Sequence, residues 1–179
     1  VGPTSALGHR ALGLFQSREG DAAAAFAELG HAGELYDRAV AGDPSNVGYT
    51  ASRAAARAEL GRIRAARGDF AGAIADYRAF LETAVQLAAR DPSNLERRAD
   101  VVTAHEDLGD ALFGKHDLAG ALAEHQTAAD LQRALEHDTP GDALAIRGER
   151  ASALGRAEER LGRDLLQLGR DGALAHFHA

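Results

Sequence analysis

The sequence predicts an all-α protein, a right-handed superhelical solenoid built from antiparallel helix pairs. Three observations support this prediction. Short motifs recur every 48 residues, apolar residues within each copy recur at helical spacing, and the β-branched and aromatic residues that favour strands are sparse. The motif DPSN, for example, occupies 43–46 and 91–94, and the related TPGD at 139–142 follows at the same interval.

These landmarks divide the chain into a single array of four repeats. A Leu-Gly pair recurs in phase with them, at 12–13, 60–61 and 108–109. One copy cannot bury its apolar face alone, so neighbouring copies are expected to stack. The predicted repeats are 1–42, 43–90, 91–138 and an irregular, truncated fourth copy at 139–179.

Each repeat is predicted to contain two helices. In the third copy the first helix covers roughly 95–115 and the second covers roughly 118–137. The apolar stripe of the first consists of Leu95, Val102, Leu108 and Leu112, and that of the second consists of Leu118, Ala121, Leu122, Ala128, Leu131 and Leu135. Small residues dominate the second stripe, which lets neighbouring helices approach closely.

The corner between the two helices of the second copy reads Arg67-Gly68-Asp69, the triplet of a known adhesion signal. Glycine is suited to the left-handed position after a helix, and aspartate is suited to cap the next helix. The same corner reads EGD at 19–21 and KHD at 115–117, so the aspartate persists while the arginine does not. We therefore interpret the triplet as a helix corner. Prolines 44, 92 and 140 mark the other corner, between successive repeats.

The fourth copy departs from the phase. Where a Leu-Gly pair is expected near position 156, the chain offers Leu154 and Leu161. We favour Leu161-Gly162, which requires a first helix longer by about a turn and a half. The alternative is a heptad seam for a partner helix, although each glycine there would weaken an isolated coiled coil by about 1 kcal/mol. Because both ends fall within a repeat, we expect a fragment of a longer array.

The segment LGDALFGKHDLAGALAEHQTA (108–128) resembles the tetratricopeptide repeat. In that family a Leu-Gly pair precedes a Gly-Asp-type corner, an Ala-Leu pair and an aromatic residue of the second helix. The second copy places Tyr77 at the aromatic position, whereas the first copy has Leu29 and the third has His125. The 48-residue unit resembles a long-helix bacterial variant, which is often appended to larger signalling proteins, including serine/threonine kinases.

The resemblance implies a non-catalytic protein–protein interaction module that presents a concave groove to a peptide or a partner protein. The alternative is a structural spacer or dimerisation segment of a multidomain signalling protein such as a serine/threonine kinase. A homodimer would then form through the last long helix. The positions around Leu12, Leu60 and Leu108 hold no Lys or Asn, which argues against the chaperone-tail clamp of one family subclass. We expect a cytoplasmic protein.

In arrays of this family the ligand lies along the inner faces of the first helices, at positions set relative to the Leu-Gly pair. By this resemblance the candidate partner-binding residues are Arg10, Arg62, Glu106, Asp110, Phe113, Glu159 and Arg163. The remaining such positions hold Leu14, Ser17, Ala58, Ala65 and Leu166. A wall of mixed charge with Phe113 as an apolar anchor suits an extended peptide or a helix. The alternative is that these side chains are merely solvated.

Composition and motifs argue against other function classes. The net charge of −7 lacks the basic excess of nucleic-acid binders. No apolar run approaches the ~20 residues of a membrane helix, and the chain has no cysteine for a disulfide or a thiolate metal site.

We expect no enzyme activity, no metal and no cofactor. The closest approach to a ligand cluster is HFH at 176–178, whose histidines point apart on a helix. His105 and His125 could meet within one helix pair, but packing or surface roles are expected for both. Adjacent carboxylates such as Glu106-Asp107 and Glu158-Glu159 splay apart and are interpreted as solvated charge.

Overall fold

The computed structural model describes residues 3–138 and 144–169, and within these ranges the chain forms seven α-helices and no strand. The predicted all-α class is confirmed. The helices are α1 (Pro3–Arg18), α2 (Ala22–Gly42), α3 (Val47–Ala66), α4 (Phe70–Arg90), α5 (Leu95–Gly114), α6 (Leu118–His137) and α7 (Leu144–Gln167). No described helix combines the length and apolar character needed to cross a membrane.

The helices group into two compact units, 1–90 with α1 to α4 and 91–179 with α5 to α7. Within the first unit α1 packs on α2, α2 on α3 and α3 on α4. Within the second unit α5 packs on α6 and α6 on α7. Helices that follow one another in the chain therefore pack as pairs inside each unit.

The short corners between helices follow from their capping residues. Gly68 has a φ of +79°, a left-handed conformation that costs glycine little, and the Asp69 side chain then accepts from the amide of Gly72. His116 takes the corresponding position before α6 with a φ of +66°. In the DPSN motifs the asparagines cap the following helices: Asn46 accepts from the amide of Tyr49, and its counterpart before α5 does the same.

Small residues bring the two helices of each pair into contact. A Cβ added to Gly61 of α3 would lie 2.7 Å from a ring carbon of Tyr77 on α4. Gly13 opposes Leu29 in the same way, and Gly109 opposes His125. The conserved spacing of these three contacts, 16 residues in each case, explains why a Leu-Gly pair is useful in this fold.

Two leucines of the repeated pattern are exposed, Leu12 of the first Leu-Gly pair and Leu131 of the predicted second-helix stripe. Leu12 is 44% exposed and Leu131 is 36% exposed. The counterpart of Leu12 in α3, Leu60, is buried because it packs with Ala25 and Leu29 of the preceding helix α2.

Candidate partner-binding cleft

The last helix, α7, docks on α6 through a small apolar cluster. Leu161 is fully buried against Ala129, and Leu122 packs on the same cluster. Gly162 is buried and Gly155 is exposed, as the Leu161-Gly162 placement requires. The helix has 24 residues, whereas α3 and α5 have 20 each. It is therefore longer than the other two, as the Leu161-Gly162 placement requires.

A cleft of about 480 Å³ lies along the exposed side of α7 in the second unit. One wall is Asp110 of α5, and the remainder consists of α7 side chains at helical spacing. The α7 lining residues are Arg156, Glu159, Arg160, Arg163 and Leu166. Leu166 is 65% exposed, so an apolar contact is offered at one end of a charged surface.

Salt bridges between α5 and α7 form the floor of this cleft. Arg160 donates from Nη1 to Glu106 at 3.1 Å and from Nε to Asp110 at 3.1 Å. Arg163 donates from Nη2 to the other Asp110 oxygen at 2.9 Å. Asp110 therefore accepts from two arginines at once, which fixes the separation of the two helices at this level.

The Arg163 guanidinium also stacks on an aromatic ring. Its central carbon lies 4.1 Å from the centroid of the Phe113 ring, a distance at which the cation is attracted by the π-system. The edge of the same guanidinium reaches Asp110 and Asp164. Phe113 is thus half-buried, with the Arg163 guanidinium over its ring.

Below this network His125 of α6 is enclosed between two carboxylates. Its Nδ1 makes a short hydrogen bond to Asp164 of α7, and both side chains are almost completely buried. Its Nε2 lies 3.5 Å from Asp110 of α5, an ion-pair distance without a well-formed hydrogen bond. One imidazole therefore connects the three helices of the unit.

Burial and charge act in opposite directions on the ionisable groups of the cleft. For His125, burial lowers the pKa, but the carboxylates of Asp110 and Asp164 outweigh it, so its pKa is raised. For Asp110, the raising effect of burial is outweighed by the nearby His125 ring and by the hydrogen bond from Arg163, so its pKa lies well below the usual range. For Glu106, burial wins over the attraction of Arg160 and the pKa is raised.

The first unit contains a matching bridge with its charges exchanged. Arg10 of α1 donates to the Glu59 carboxylate of α3 from Nη2 at 2.7 Å and from Nε at 3.2 Å. Glu106 lies 96 residues after Arg10, and Arg160 lies 101 residues after Glu59. Corresponding positions therefore join α1 to α3 by an Arg–Glu pair and α5 to α7 by a Glu–Arg pair.

The hydrogen bond to Glu59, opposed by burial, raises the pKa of Arg10. Beside this bridge the first unit has its own cleft of about 420 Å³, with an apolar lining between α1 and α3. The exposed side chain of Arg62 stands at its edge, and Leu14 and Ser17 contribute from α1.

The structure brings several of the sequence-predicted residues together in the second unit. Glu106, Asp110, Phe113 and Arg163 belong to one network with Arg160, and Glu159 lines the same cleft from an exposed position. Arg10 and Arg62 belong to the first unit.

Other predictions for polar residues need correction. Glu106 and Glu158 are not simply solvated, since the first pairs with Arg160 and the second with Arg133. His105 and His125, for which packing or surface roles were expected, each pair with a carboxylate: His105 lies 2.6 Å from Glu124, and His125 binds Asp164.

Sequence reasoning missed three residues that organise these sites, Glu59, Arg160 and Asp164. It also missed the interhelical contacts of His125. A usable signal existed for Glu59, which falls on the α3 surface one turn before Arg62. For His125 the signal was its position opposite Gly109, where the other copies have residues that pack on glycine. Nothing in the spacing alone pairs His125 with Asp164.

His, Asp and Glu residues, which can ligate metal ions, are frequent in the described part of the chain. Among its residues no group of three His, Asp or Glu side chains is arranged to hold a metal ion. The HFH segment at 176–178 lies outside the described residues.

Comparison with known proteins shows the fold but no close relative. No protein-family model matches the chain, and a comparison with curated proteins found no match. Among solved structures, BtubC (BKLC) from P. vanneervenii is similar with a TM-score of 0.65 and 19% identity over 94% of this chain. A second, MamA, has a TM-score of 0.36 and 21% identity, covering 92% of this chain and 90% of its own.

The chain spans little more than half, 56%, of the BtubC chain that it matches. At this identity the likeness concerns the fold alone. Together with the pairwise packing of consecutive helices, it shows that the protein has a helical repeat fold.

Proposed function

We propose that the protein is a non-catalytic interaction module of the tetratricopeptide type, with a 48-residue period, that binds a peptide or partner protein along its first helices. The observation that supports this most directly is that Asp110, Glu159 and Arg163 line one cleft, while Glu106 and Phe113 contact its arginines. Their positions relative to the Leu-Gly pairs are those at which ligands lie in the arrays that this sequence resembles.

The chemistry of the cleft suits a peptide better than a small substrate. Its arginines are already oriented by carboxylates, and its apolar surface is an exposed leucine at one end. A peptide can place a polar group beside the arginines and an apolar side chain on Leu166 at the same time.

The test is selection from a displayed peptide library, followed by calorimetric titration of the selected peptide. Leu166→Asp and Glu159→Arg alter exposed side chains of the cleft and leave its salt bridges in place. Arg38→Glu, on a 72% exposed side chain of α2, is the matched surface control. We expect the two cleft variants to lose binding and the control to retain it. Peptides that bind all variants equally would refute the proposed site.

The alternative function is a spacer or dimerisation segment of a larger protein. The exposure of Leu166 on α7 favours it, since an apolar side chain there could pack against a second copy. Sedimentation of the unliganded protein distinguishes the two functions. A dimer that Leu166→Asp converts to a monomer would support the alternative, and a monomer at all concentrations would exclude this form of dimerisation.

The proposal includes the cytoplasmic location expected from the sequence. Fractionation of the source cells, followed by detection of the protein with an antibody, would test it.

A further inference from the structure

The contact between His125 and Asp164 has an apolar counterpart in the first unit. Leu29 of α2 and Ile63 of α3 belong to one buried cluster. His125 lies 96 residues after Leu29, and Asp164 lies 101 residues after Ile63, the same offsets that relate the two salt bridges described above. The chain therefore makes the same helix-to-helix contact with two hydrocarbon side chains in one unit and with an ionisable pair in the other.

Stability alone does not account for such an exchange. A buried ion pair has to overcome the cost of removing two charges from water, and an apolar pair of similar size is often equally stable or more stable. A histidine differs from leucine in one respect that matters near neutral pH, which is that it changes charge there.

The carboxylates that face His125 favour its charged form and outweigh the opposing effect of burial. From α5 it faces Asp110, and from α7 it faces Asp164, which is itself held by Arg163 at 3.3 Å. When both ring nitrogens carry protons, each points to a carboxylate. Loss of one proton leaves a lone pair directed at one of these anions, so the attraction between α6 and its neighbours weakens.

We propose that His125 is a proton-dependent clamp that holds α7 on α5 and α6, so that the last helix loosens as the imidazole is neutralised. The clamp acts on α7 itself and does not depend on the proposed ligand. Because Arg160 and Arg163 belong to α7, loosening it also removes one wall of the cleft.

The direction of the effect follows from linkage. A histidine whose pKa is raised by folding contributes stability that is fully present below its unfolded pKa, about 6.5, and is lost as the pH rises through the folded value. For one proton, the equilibrium between docked and loosened α7 changes by at most about tenfold per pH unit.

The experiment combines NMR titration of the His125 ring with hydrogen exchange of α7, from about pH 5.5 to about pH 9, after correction for the intrinsic exchange rate. In the wild-type protein we expect the protection of α7 to fall by up to about tenfold per pH unit as His125 is neutralised. The α5 amides, which lie on the other side of the ring, should lose less protection.

The key control is the double variant His125→Leu/Asp164→Ile, which copies the Leu29–Ile63 contact and should remove the pH dependence. His105→Gln is a matched single variant, because His105 hydrogen-bonds to Glu124 of α6, within its own helix pair. It should leave the α7 profile unchanged.

Two results would overturn the proposal. One is an α7 protection profile that is the same in the wild type and in the double variant. The other is a His125 ring that titrates below the ordinary histidine value. The ring titration requires only the wild-type protein, so the second result is decisive even if the double variant fails to fold.

Discussion

The exchanged salt bridges between the first helices predict that the charges of Arg10 and Glu59 can be reversed as a pair. In the wild type Arg10 makes a two-pronged contact with Glu59, whose side chain is only 8% exposed. At about 3 Å and an effective dielectric constant of about 20, the Coulomb attraction is about 5 kcal/mol, and most of it is offset by desolvation. A net coupling of about 1–2 kcal/mol remains.

The assay is a double-mutant cycle with Arg10→Glu, Glu59→Arg and the two combined, measured by urea denaturation. Each single variant places like charges together and should lose about 2 kcal/mol or more of unfolding free energy. The double variant should recover at least half of the summed loss, because the second unit makes the same bridge as Glu106–Arg160.

A matched control is the reversal of Glu34 and Arg38, an i,i+4 pair in which both side chains are about two-thirds exposed. Its coupling should be no more than about 0.5 kcal/mol. If the Arg10–Glu59 double variant were as unstable as the sum of its single variants, the two bridges would not be structurally equivalent. The relation between the two units inferred from their offsets would then be refuted.

Three further predictions follow from single contacts. Gly61→Ala should lower the unfolding free energy by about 1–3 kcal/mol, because its Cβ would overlap the Tyr77 ring. Gly30→Ala, in open space on α2, should raise the unfolding free energy by about 0.5–1 kcal/mol, and urea denaturation of both variants measures the contrast. Asp69→Ala should cost about 1 kcal/mol through loss of the helix cap, and Arg67→Ala should change neither the melting temperature nor the attachment of cells to the immobilised protein. Attachment that depends on Arg67 would contradict the corner interpretation. Because folding lowers the pKa of Asp110, its contribution to the unfolding free energy should be fully present above about pH 4 and should be lost as the pH falls further. The unfolding free energy of Asp110→Asn should therefore change less with acid pH than that of the wild type.

The backbone of this fold could be predicted well from the sequence, because its helix ends depend on local signals. The predicted helices at 95–115 and 118–137 correspond to Leu95–Gly114 and Leu118–His137 in the structure. Left-handed corner residues and side-chain caps act within a few residues of the chain, so one sequence contains the whole of this information.

The contacts within the cleft could be predicted only in part. The Leu-Gly pairs assign Asp110, Phe113 and Arg163 to the inner faces of the first helices, but they do not predict that Arg163 contacts the other two. Which charges pair across helices depends on the register of α7, and a shift of one residue would change the pairs. The burial of Leu161 fixes that register. The stacking of Arg163 on Phe113 likewise depends on a rotamer that no spacing specifies.

The salt bridges beneath the cleft also determine where binding energy can arise. Arg160 and Arg163 already donate to Glu106 and Asp110, so a ligand carboxylate would have to share donors that are in use, and the gain per new hydrogen bond is small. The ion pairs hold the side chains of the cleft in place. Side chains that are already fixed lose little entropy when a ligand binds. Most of the affinity must then come from the apolar contact at Leu166, the most exposed large hydrophobic side chain on α7 among its described residues. Leu166→Ala should accordingly weaken a selected peptide more than Glu159→Gln does, and a calorimetric titration that gave the reverse order would indicate recognition by charge.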